Sequence, residues 1–169
     1  MDYAKHYKAV VCGKRNKAAG AFWEDIIETT CLHYSLEGKA EIAKTPEPMK
    51  PIRPIGNGKF LAYYEKKAQP DYKGTLAGGR AIVFEAKHTD EDRLKQSAVT
   101  SEQEKQLNKH ERLGAECFVL VSFGFREFFK VPWATFKAMK TIYGRKYIKP
   151  EDLTEFKIPY TGGILKFLG

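Results

Sequence analysis

Gly79-Arg80-Ala81-Ile82-Val83-Phe84-Glu85-Ala86-Lys87 is the stretch whose pattern decides the fold. It opens on Gly78-Gly79, a pair suited to a hairpin turn. Ala81, Val83, Glu85 and Lys87 then share one side of a strand, and Ile82, Phe84 and Ala86 the other. Both sides are apolar until the C-terminal end, which predicts a central strand covered on both faces. Glu85 and Lys87 break that pattern and leave the same side about 7 Å apart. Thirteen residues separate Glu85 from Asp71, which follows Pro70. On the preceding strand of a hairpin, Asp71 can lie beside the pair.

Two carboxylates and the carbonyl of Ala86 offer the hard oxygens that Mg²⁺ prefers, with Mn²⁺ a possible substitute, and leave positions for water and phosphate. Such an ion lowers the pKa of bound water and neutralises charge on a phosphodiester. Lys87, flanked by carboxylates, suits stabilisation of the negative transition state better than general-base work. Glu24 on an early helix can complete the set as a further metal ligand, and Gln103 on the first turn of a later helix can help position it. Each residue also has a plainer reading. Glu85 and Lys87 fit an ordinary ion pair at a strand end, Glu24 a solvated helix residue, Gln103 part of a helix cap, and His88 a loop histidine rather than a ligand.

The composition suits a polyanion partner. Lysine and arginine number 29 against 21 aspartates and glutamates, and the pI is about 9.3. An excess of this size favours nucleic acid, although a basic protein need not bind it. The basic residues gather at Lys14-Arg15-Asn16-Lys17, at Lys66-Lys67 just before Asp71, and at Gly144-Arg145-Lys146. A chain of 169 residues buries roughly 70% of its unfolded surface and needs no disulfide staple. The three cysteines, Cys12, Cys31 and Cys117, form no CxxC pair; Cys31 and Cys117 read as small core residues, and the chain as a reduced, cytoplasmic protein. Met1–Val11 does not read as a signal peptide, and Cys117–Phe125 is too short to span a bilayer, so no membrane is expected.

Outward from the central strand, residues 1–16 read as a basic arm and 17–169 as one domain. Phe22, Trp23, Ile26, Ile27, Thr30, Cys31 and Tyr34 recur at helical intervals from Lys17 to about Ser35, with Glu24 at the edge of that face. Ala40 and Ile42 mark a short strand. Four prolines in nine residues, 46–54, exclude a central strand or helix. With the Gly56-Asn57-Gly58 turn and the strand after it, they suggest a projecting hairpin or arm. Asp90–Ala98 reads as loop. Ser101-Glu102-Gln103-Glu104 has the form of a capping box, opening a helix that stops at Gly114. Cys117–Phe123 and Glu127–Val131 read as strands. Pro132 would be the first residue of a helix closed by Gly144. The last sixteen residues carry no clear period. The order gives an α/β fold, a mixed sheet flanked by helices.

Several runs, in this order, resemble the RecU Holliday-junction resolvases of the PD-(D/E)xK nuclease superfamily. They are Gly20-Ala21-Phe22-Trp23-Glu24-Asp25-Ile26-Ile27, Lys44-Thr45-Pro46-Glu47-Pro48, Asp71-Tyr72-Lys73-Gly74, Gly79–Lys87 and Gly144-Arg145-Lys146-Tyr147-Ile148. Together they cover about residues 17–155. The resemblance implies a restriction-endonuclease-like fold, a homodimer, and Mg²⁺-dependent paired nicking of four-way DNA junctions. It places Asp71, Glu85 and Lys87 in the catalytic core with Glu24 and Gln103 in support, and Asp71, Glu85, Ala86 and Glu24 around the metal. It makes about residues 48–67 a stalk that enters the junction. Lys14, Arg15, Lys17, Lys59, Lys66, Lys67 and Lys73 are then the expected DNA contacts. The chain departs from the family pattern at Gln69 and Pro70, where hydroxyl residues are usual, and at His88, where an acid is common. Two other readings stay open: a less selective nuclease for branched or duplex DNA, and a junction-binding factor that does not cut.

Overall fold

The computed structural model describes residues 3–46, 48–64 and 69–169. Helix α1 spans Tyr3–Leu36. Alanine and lysine are frequent in its first half, and no proline occurs before Pro46, so helix propensity continues through the segment expected to be an arm. The helix crosses position 16 without a break, and residues 3–16 are its opening turns. Trp23, Ile26, Ile27, Thr30, Cys31 and Tyr34 form its buried face. Phe22, expected on that face, is 52% exposed and meets Phe125 edge-on instead.

The chain continues through β1 (Ala40–Lys44), β2 (Met49–Gly56), β3 (Lys59–Tyr64), β4 (Tyr72–Leu76) and β5 (Ala81–Thr89). The expected loop after β5 holds a short strand, β6 (Leu94–Lys95), and a 3₁₀ turn at Gln96–Ala98. Helix α2 (Ser101–Arg112), β7 (Glu116–Phe123) and β8 (Glu127–Pro132) follow. The helix expected after them is two short ones, α3 (Trp133–Lys137) and α4 (Met139–Tyr143), parted at Ala138, and Pro132 is the N-cap rather than the first helical residue. Then come β9 (Tyr147–Ile148), a 3₁₀ helix (Pro150–Phe156), β10 (Lys157–Ile158), β11 (Tyr160–Thr161) and β12 (Ile164–Leu165).

Six strands form one sheet in the order β1-β4-β5-β7-β8-β10. Only β5 and β7 run parallel in it, and α2 lies in the crossover that a parallel pair requires. The sheet is mixed and flanked by helices, as the pattern predicts. Strand parity divides the core. Ile82 and Phe84 of β5, with Phe118 and Leu120 of β7, face the cluster built on α1. Val83, Val119 and Val121 face the cluster holding Leu107 of α2, Trp133 and Phe136 of α3, Met139 and Leu153. Glu85 shares the parity of Val83 and so leaves the sheet toward α2.

Strands β2 and β3 pair with each other in a separate two-stranded sheet, and every described residue from Met49 to Tyr63 is exposed. The register shifts next to Pro51 and next to Pro54, as expected of a residue that donates no ladder hydrogen bond. The final residues clasp α1. The Tyr34 hydroxyl donates to the Leu165 carbonyl at 2.7 Å, and the Leu165 and Leu168 amides donate to the hydroxyls of Thr30 and Tyr34, each at 3.1 Å. Leu165 and Phe167 are thereby buried among the residues of α1.

Candidate active site

The β4–β5 hairpin sets Tyr72 opposite Phe84, so Asp71, one residue before β4, comes level with Glu85, midway along β5. The Ala86 amide donates to Asp71 Oδ2 at 2.9 Å. The Lys87 ammonium stands 3.5 Å from the same oxygen and 3.1 Å from Glu85 Oε2. Asp71, Glu85 and Lys87 therefore meet at one point.

Glu85 is fully buried. The Gln103 side-chain amide donates to its Oε2, which brings in the third expected partner. Gln103 can do this because α2 begins where it does. Thr100 is the N-cap: its hydroxyl accepts from the Gln103 amide, and Gln103 Oε1 accepts from the Thr100 amide at 3.1 Å. The capping box thus starts at Thr100, one residue before the expected Ser101, and it turns the Gln103 NH₂ toward β5. The other Glu85 oxygen, Oε1, is buried without a hydrogen-bond partner. Burial, reinforced by the negative charge of Asp71, pushes the Glu85 carboxyl up to about 8 against the opposing pull of Lys87.

Asp71, Ala86 and Lys87 open into a cavity of about 990 Å³, also lined by Arg15, Ala19, Gly20 and Glu24 of α1 and by Lys44, Thr45 and Pro46. Glu24 reaches this space, but its partner is Lys44, whose ammonium lies 2.6 Å from Glu24 Oε2 and 4.0 Å from Glu28. Lys44 is a site residue that sequence reasoning missed, although it opens one of the motif runs. Its place depends on the register that sets it opposite Tyr72. Arg15 also reaches the cavity, where it pairs with Asp90 at 2.8 Å. Lys14 and Lys17 are exposed on α1 but do not line it. Lys59 is exposed at the end of the β2–β3 hairpin, and Lys73 donates to Gln69 at 2.7 Å. Lys66 and Lys67 lie outside the described residues.

His88 belongs to β5 rather than to a loop. Its ring stacks on Phe125 at 3.9 Å, with Nδ1 3.1 Å from the Ser122 hydroxyl and Nε2 3.3 Å from Asp90, and burial lowers its pKa. Neither contact is with Asp71 or Glu85. Arg145, in a cluster read as favouring nucleic acid, is held by Asp152 at 2.5 Å and lies over the ring of Tyr147. That makes it a brace for the segment after α4.

Among the described residues, no three Asp, Glu, His or Cys side chains form a ready-made metal nest. The ammonium groups of Lys87 and Lys44 stand against the carboxylates instead. The donor set nevertheless suits a hard cation. It is made of oxygens, and Glu85 Oε1 is a buried oxygen with no partner of its own.

The family model described as "RecU: Recombination protein U" matches residues 18–168. Among curated proteins, none matches the chain in sequence. Among solved structures, it is similar to Hjc, a Holliday junction resolvase from the archaeal hyperthermophile Archaeoglobus fulgidus, at 16% identity and a TM-score of 0.47, over 82% of this chain and 89% of that one. It is also similar to the protein designated SSO0001, at 20% identity and a TM-score of 0.33, over 85% and 69% of the respective chains. The assignment rests on the family model, which spans nearly the whole chain and includes Glu24, Asp71, Glu85, Lys87 and Gln103: the chain belongs to the RecU family of Holliday-junction resolvases, endodeoxyribonucleases that act on branched DNA.

Proposed function

We propose that this resolvase makes paired, symmetric nicks in four-way DNA junctions as a homodimer in the cytoplasm, with Mg²⁺ as its cofactor and Mn²⁺ able to replace it. Asp71, Glu85, the Ala86 carbonyl and Glu24 would hold the ion. When bound, it supplies an acidified water and neutralises charge on the scissile phosphate. The chain's own groups prepare the rest. The Ala86 amide fixes one oxygen of Asp71. Gln103 fixes one oxygen of Glu85 and leaves Oε1 without a partner. Lys87, held between the two acids, places a positive charge where the phosphorane charge develops. The observation that carries this reading is the meeting of Asp71, Glu85 and Lys87 beside a cavity of about 990 Å³ that Asp71, Ala86 and Lys87 line.

Lys14, Arg15, Lys17, Lys59, Lys66, Lys67 and Lys73 would supply phosphate contacts, and residues 48–67 would enter the junction opening. A two-fold dimer suits a pseudo-symmetric junction, each subunit cutting one strand.

The test is to incubate the protein with synthetic four-way junctions, linear duplex and flaps, in Mg²⁺ or in chelator. Symmetric nicks confined to junctions in Mg²⁺ support the proposal. Nicks on every substrate favour the less selective nuclease, and tight binding without cleavage favours the non-cutting factor.

A further inference from the structure

We infer that Lys44 is a second phosphate-binding cation of the active site, held in reserve by Glu24. The inference rests on the metal-dependent reading above. Lys87 serves Asp71 and Glu85, and its ammonium is committed between them. Lys44 approaches the cavity from β1, on the other side of Asp71, and its ammonium is set against Glu24 at 2.6 Å.

Three observations give this pair a role beyond an ordinary ion pair. First, the backbone fixes Lys44 firmly. It pairs with Tyr72 in the β1–β4 ladder, and the next amide, Thr45, donates to the Asp71 carbonyl at 2.8 Å. A shift of Asp71 therefore carries Lys44 with it. Second, carboxylates surround its ammonium, with Glu24 at 2.6 Å and Glu28 at 4.0 Å. Third, its partner is a carboxylate that a hard cation would recruit. Both side chains of the pair are less than half exposed, at 43% and 44%. A pair this accessible is weak and exchanges partners readily.

When a divalent cation engages Glu24, Lys44 loses its 2.6 Å partner and keeps only Glu28, at 4.0 Å. Its ammonium, beside the cavity, can then turn to the DNA backbone. In metal-free protein its charge is taken up by Glu24. The contribution of Lys44 to DNA binding is thus conditional on the metal, whereas that of an ordinary surface lysine is not.

The experiment compares the parent with Lys44→Gln and Lys44→Arg, both first checked for unchanged melting temperature. Binding to a four-way junction is measured across a salt series, once in chelator and once in Ca²⁺, and nicking is measured across a Mg²⁺ titration. In chelator, K44Q should bind within about twofold of the parent. In Ca²⁺ it should bind roughly five- to tenfold more weakly, with a log–log salt slope shallower by about one, the signature of one lost phosphate contact. Its nicking rate at saturating Mg²⁺ should fall on the order of ten- to a hundredfold, and K44R should recover most of both losses.

Equal salt slopes for K44Q and parent in Ca²⁺ would overturn the inference. So would full recovery of K44Q nicking by excess Mg²⁺, which would leave Lys44 as a positioner of Glu24 alone. A parent that nicks at full rate in chelator would sink the metal-dependent reading and this inference together. A metal-requiring parent with an indifferent K44Q sinks this inference only.

Discussion

Glu85 carries the sharpest electrostatic conflict among the described residues. It is an acid with no exposed surface, and its carboxyl is pushed from an ordinary 4.5 up to about 8 by burial and then by Asp71. The folded protein therefore holds a proton that the unfolded chain releases. This contribution to stability is complete below about pH 4.5 and is lost as the pH rises toward about 8. In chelator, thermal melts of the parent should show falling stability across that window, and Glu85→Gln should flatten the decline. A divalent cation needs the ionised carboxylate, so its apparent affinity, read by calorimetry, should rise over the same range with proton release. Asp71→Asn should cut nicking by roughly a thousandfold or more while junction binding, read by gel shift, holds or improves. A near-normal rate would remove Asp71 from the metal site. At this scale the sequence was informative where parity ruled. Glu85, Lys87 and their relation to Asp71 follow from a period of two and one hairpin. Lys44 did not follow, because its neighbours come from α1, twenty positions earlier, and no local pattern encodes that approach.

The start of α2 shows how an element serves the chemistry. Thr100 and Gln103 cap the helix, and the same Gln103 side chain holds Glu85. Two substitutions separate these tasks. Thr100→Ala should cost about 1 kcal/mol in denaturant melts yet leave nicking within about threefold. Gln103→Ala should cost a similar amount and lower nicking on the order of tenfold. Matching losses of rate would mean that Gln103 acts only through the helix. Strand β1 offers a second case. A methyl group on Gly74 would lie 2.1 Å from the Glu41 carbonyl oxygen and 2.7 Å from the Ile42 Cα, so Gly74→Ala must push β1 away from β4. A loss of about 2 kcal/mol is expected, and Lys44, at the end of β1, should lose its place with it. The β2–β3 hairpin is the opposite case. Its described side chains are exposed from Met49 to Tyr63, so replacing residues 50–63 with a short Gly-Ser link should barely move the melting temperature. Discrimination between junction and duplex, measured by competition binding, should shrink. The prolines and the Gly56–Gly58 turn made this hairpin readable in advance. The sequence points to Ser101 where the structure has Thr100 as the cap, because both are hydroxyl residues and only the helix geometry chooses between them.

Across the whole molecule, a net charge of +8 makes junction affinity a matter of counter-ion release, and log affinity should fall linearly with log salt. No helix among the described residues is long and apolar enough to cross a membrane. The mixed sheet and its flanking helices could be anticipated because each long strand carries its own burial pattern. The closing segment could not: β10, β11 and β12 are two residues each, too short to show any period. Yet this segment fastens to the earliest part of the fold through bonds spanning 131 to 135 positions. Such long-range closure is slow to form. During synthesis, Thr30 and Tyr34 leave the ribosome well before their partners and wait, their hydroxyls and apolar neighbours uncovered, until Leu165 and Leu168 have been translated. A nascent chain halted before Leu165 would carry Asp71, Glu85 and Lys87 on an unfinished scaffold, so the ability to cut DNA should arrive only once residues 165–168 have been added.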